Sequence, residues 1–101
     1  MTSEGQAWAL AQMREICDEA DGALEIIAVE PPAAEGDALE IELSVSCVSF
    51  PQKPGGIPFR SRERLRIGVP FLFPFHRPDL HFAHTRYGSH AHVQWGTSVC
   101  L

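Results

Sequence analysis

Residues Leu65 to Leu101 read LRIGVPFLFPFHRPDLHFAHTRYGSHAHVQWGTSVCL, and the reading of this stretch decides the fold. Leu65, Ile67 and Val69 alternate with Arg64, Arg66 and Gly68, the period-two pattern of a strand with one buried face. Pro70, Pro74 and Pro78 then break any ladder and mark a turn rich in phenylalanine. Leu80 to Phe82 leaves that turn as a second short strand. A histidine-rich loop follows, and Cys100 stands one residue before Leu101.

Outward from this stretch, the chain repeats the same grammar. Leu39, Ile41, Leu43, Val45 and Cys47 alternate strictly with Glu40, Glu42, Ser44 and Ser46, which predicts a half-buried antiparallel strand over 39–47. Pro51, Pro54, Gly55, Gly56 and Pro58 make residues 50–60 a connector between the two strands. Leu24 to Val29 is apolar and β-branched and stops at Pro31-Pro32, so it reads as a first strand, with a turn over 31–37. Ser3 and Gln6 fit a capping box, in which the hydroxyl takes one orphan amide and the glutamine reaches back to another. Ala9, Met13, Ile16, Cys17 and Ala20 follow at helical spacing, and Gly22 supplies a stop, so a helix is expected from about 4 to 20. A helix followed by strands on short turns predicts an α+β domain, the N-terminal helix packed on a four-stranded antiparallel meander. One helix about 25 Å long leaves part of a sheet face to be covered by something else.

Composition bounds the function. At 101 residues the chain has room for one domain and one modest core. No apolar run approaches the length of a spanning helix, and the N-terminus lacks the pattern of a secretory signal, so no membrane partner and a cytoplasmic location are expected. Three cysteines, Cys17, Cys47 and Cys100, do not make a disulfide framework; Cys17 and Cys47 fall on apolar stripes and read as core. A net charge of −5 argues against a broad nucleic-acid surface. Arg60, Arg62, Arg64 and Arg66 recur at strand spacing, which reads first as a solvated face and second as a patch for an acidic partner.

Taken in order, the motifs resemble those of the ubiquitin-conjugating enzyme family. Gly55-Gly56 stands at that family's glycine pair, Phe73-Pro74 at its Tyr-Pro and Arg77-Pro78 at its Pro-Pro. Leu80 and Phe82 stand at its next strand, His90-Ala91-His92 at its His-Pro-Asn and Cys100-Leu101 at its Cys-Leu. The interval from His92 to Cys100 equals the family's interval. The resemblance implies transthioesterification: Cys100 is the nucleophile that accepts a ubiquitin-like modifier from an activating enzyme and passes it to an amine on a protein substrate. A thiolate suits this because it both attacks and leaves well. Attack builds an oxyanion that needs a donor. The family's asparagine is associated with that role, and His92 occupies its place here. An imidazole donates one hydrogen bond or moves a proton near neutral pH. His90 is assigned to holding the loop. No cofactor or resident metal is implied.

Two departures from the family set further expectations. Its members continue past the cysteine into helices, so residues 1–101 are expected to be a single domain cut just after Cys100, those helices lying outside this chain. The first helix offers only Arg14 in its body, where the family often presents basic residues. A fused adenylating domain, as in bacterial ubiquitin-like conjugation systems, is an alternative to a separate activating enzyme.

Three other functions compete. His76, His81, His84, His90, His92 and Cys100 are ligand types that suit zinc, but no Cys-x-x-Cys or His-Glu-x-x-His accompanies them. A non-catalytic interaction module of the same fold needs no chemistry at Cys100. Hydrolysis by a Cys100–His92 pair needs an oriented histidine and a cleft.

Overall fold

In a computed structural model, which describes residues 2–48 and 60–83 and the backbone of 93–94 and 98–99, Ser3 opens a helix α1 over Glu4–Glu19. The capping box forms as expected. Ser3 Oγ accepts from the Gln6 amide at 3.2 Å, and the Ser3 amide donates to Gln6 Oε1 at 3.0 Å. Asp21 at φ 49° and Gly22 at φ 87° turn the chain through the left-handed region, which glycine enters without steric cost.

The strands follow the order read from the sequence. They are β1 (Leu24–Glu30), β2 (Leu39–Ser46), β3 (Arg62–Val69) and β4 (Asp79–Phe82), antiparallel neighbours in that order. The helix and the four-stranded meander match expectation, and β3 begins three residues earlier than its apolar alternation suggested. A small hairpin extends the sheet. It consists of β5 (Val93–Gln94) and β6 (Ser98–Val99), giving the order β1-β2-β3-β4-β6-β5. Two-residue strands carry too little pattern to be read from sequence.

Register explains the core. Leu39 lies opposite Val69, Ile41 opposite Ile67 and Leu43 opposite Leu65, so from residues 39–43 and 65–69 one face of the central strands is hydrocarbon. Ile67 then meets Leu80 and Leu65 meets Phe82. Leu39, Ile41, Leu43 and Val69 are buried, and Ala9, Leu10, Met13 and Cys17 of α1 pack against them. Full burial of each such side chain contributes about 1.5–3 kcal/mol. Leu65, Ile67 and Leu80, toward the β4 side, keep partial exposure.

Ile16 departs from the expected stripe and is 50% exposed. The buried face of α1 runs through Gln6, Met13 and Cys17, and Ile16 sits roughly 80° around the helix from Gln6 at 100° per residue. Gln6 is polar, so a stripe drawn from apolar residues alone is aimed off the true face. Among the described residues, no helix is long and apolar enough to cross a membrane.

Candidate functional site

The turn between β3 and β4, which holds the Phe73-Pro74 and Arg77-Pro78 pairs, is fixed by the start of α1. Gln6 is fully buried. Its Nε2 donates to the Val69 carbonyl at 2.9 Å, at the end of β3, and to the Asp37 carbonyl at 3.0 Å, just before β2. Its Oε1 is already taken by Ser3. One side chain therefore caps the helix and ties two turns to it. Gly5 lets the backbones approach: a Cβ there would run into the Phe73 carbonyl oxygen. Trp8 stacks on Phe73 with ring centroids 6.1 Å apart. Within the turn the Phe73 amide donates to the Pro70 carbonyl and the Phe75 amide to that of Leu72, and the Phe73–Pro74 peptide is cis. Phe75 projects at 89% exposure, with Leu72 and Trp8 also exposed.

The backbone that leads to the expected nucleophile pairs with β4, the strand that leaves this turn. β6 pairs antiparallel with β4, His81 opposite Ser98, so residues 98–99 run along the strand that leaves the turn. Cys100 follows Val99 in the chain. Cys100, His92 and His90 lie outside the described residues, as do His84 and the Gly55-Gly56 pair. Of the candidate metal ligands, His76 is exposed in the turn and His81 is half-buried on β4. Among the described residues no three His, Cys, Asp or Glu side chains gather as a metal site.

The arginine stripe lies on the open face of the sheet. Arg62, Arg64 and Arg66 are exposed, and each has a partner within the chain. Arg62 Nε donates to Ser44 Oγ at 2.8 Å, and its Nη2 lies 3.9 Å from Glu25. Arg64 reaches Glu42 Oε2 at 2.6 Å and Arg66 lies 3.6 Å from Glu42 Oε1. The Arg64 hydrogen bond, with help from both guanidinium charges, holds the Glu42 carboxyl below the usual carboxylate range. The stripe is thus largely neutralised by its neighbours, which fits a solvated face better than a patch held open for an acidic partner. Arg60 differs. It precedes the strand, and its amide donates to Glu63 Oε2 at 2.9 Å.

Glu63 itself is a buried carboxylate at 2% exposure, on the inner face of β3. The signal was in the sequence, since Glu63 shares the parity of Leu65, Ile67 and Val69. A strand that starts at Leu65 leaves it in the preceding connector.

The two described thiols are unsuited to nucleophilic work. Cys47 is buried, and burial first, then the nearby Glu63 charge, pushes its pKa up. Cys17 lines an open cleft of ≈ 380 Å³ with Arg14, Asp18, Leu24, Glu25 and Ile26. Burial again raises its pKa, with the Asp18 and Glu25 carboxylates adding to the effect. Both therefore stay protonated at neutral pH, and a thiol is a far poorer nucleophile than a thiolate.

No protein family, curated protein or solved structure matches this chain.

Proposed function

We propose that this chain is a ubiquitin-like conjugating domain that carries its modifier as a thioester on Cys100. The observation that carries the reading is the run of motifs from Gly55-Gly56 through Phe73-Pro74 and His90-Ala91-His92 to Cys100-Leu101, in family order and register. The helix-then-meander order supports it. Burial raises the pKa of Cys17 and Cys47, which argues against either of them as the nucleophile. In the proposed reaction an activating partner, separate or fused, first spends ATP to make its own thioester with the modifier. The Cys100 thiolate attacks that carbonyl, the tetrahedral oxyanion collapses, and the partner's thiolate leaves. A substrate amine then attacks the Cys100 thioester, gives up its proton and expels the Cys100 thiolate. The setting for this exchange is the cytoplasm, where thiols stay reduced.

Incubation with an activating enzyme, ATP and a ubiquitin-like protein tests the proposal. A thiol-sensitive adduct is expected, and Cys100→Ser should convert it to a thiol-resistant ester. An unchanged thiol-sensitive adduct in Cys100→Ser overturns the assignment. His92 is assigned to the transfer step, because attack by the amine builds an oxyanion that the family's amide would otherwise meet. Discharge of a preloaded adduct to free lysine should slow by up to about 10²–10³ in His92→Ala, the loss expected for one fully used donor. His92→Asn should keep more of the rate. Equal discharge by parent, Ala and Asn proteins would remove His92 from the mechanism.

A second reading is favoured by one observation. Trp8, Leu72 and Phe75 expose a cluster of large apolar side chains, of the sort that marks a protein-binding surface. A non-catalytic interaction module would form no adduct in the same experiment.

A further inference from the structure

We draw no further inference here: the strongest candidate, the exposed apolar patch that Trp8 of α1 makes with Leu72, Phe73 and Phe75 of the turn between β3 and β4, is an unpartnered surface, and nothing in the structure shows what covers it.

Discussion

Gln6 does three things at once. It closes the capping box and satisfies two backbone carbonyls from different turns, while itself excluded from solvent. Replacing it with alanine removes the cap's return bond and leaves the buried Val69 carbonyl without this donor. Each such loss costs about 1–3 kcal/mol, so Gln6→Ala should destabilise by about 2–4 kcal/mol. Gln6→Glu, which can accept from Ser3 but cannot donate to Val69, should recover little. Urea unfolding at neutral pH measures both, and a Gln6→Ala midpoint equal to the parent's would show the three bonds to be incidental. The capping box was legible in the sequence because it is a local motif whose two partners stand three positions apart. The two longer bonds were not, because nothing near Gln6 announces which carbonyls its amide will meet. The other misses differ in cause. Ile16 is placed by the direction of the buried helix face, which partners remote in sequence set, whereas Glu63 keeps the parity of Leu65 and is hidden only by where the strand is taken to start.

At the scale of elements, β2 and β3 are joined twice, by hydrocarbon on the inner face and by charge on the outer one. The inner pairs were readable from strict alternation, which left register as the only freedom, and a slip by one residue would turn Leu39, Ile41 and Leu43 outward. The outer pairs depend on that same register, since it sets Glu42 opposite Arg66 and Ser44 opposite Arg64. Their contribution should vary with pH in a definite sense. Glu42 has its folded pKa depressed, so its share of stability is fully present above the unfolded value near ~4.3. That share is lost as pH falls through the lower folded value. The parent should therefore exceed Glu42→Gln by about 0.2–1 kcal/mol at neutral pH, the range for ion pairs at a protein surface. The gap should close as the carboxyl is protonated. Unfolding midpoints of the two proteins, followed from about pH 7 to about pH 3, check this; a gap that widens on acidification contradicts it. The candidate site rests on the resemblance of the motifs that end at Cys100, and Cys100, His92 and His90 lie outside the described residues, so the sequence carries their order but not their geometry.

For the whole molecule, the sheet order leaves β1 as an edge among the described residues. An open edge offers unpaired amides and carbonyls to any passing strand. Several features blunt it here. The register shifts between Ile26 and Ala28, Glu25 and Glu30 stand along the strand, and Pro31-Pro32 follow it. Replacing Glu25 and Glu30 together with valine should leave the fold intact and make self-association rise with concentration. Sedimentation velocity reads this directly, and a variant that associates no more than the parent would show that the register shift and Pro31-Pro32 guard the edge without the two carboxylates. The bond between Gln6 and Val69 has a consequence in time. It joins residues 63 apart in sequence, so on a chain made towards its C-terminus Gln6 emerges long before the Val69 carbonyl it donates to. Closing that span costs roughly 3 kcal/mol more entropy than closing the three-residue cap. Helix α1 can lie against β1 and β2 as they emerge, but its buried amide is satisfied only once β3 has been made.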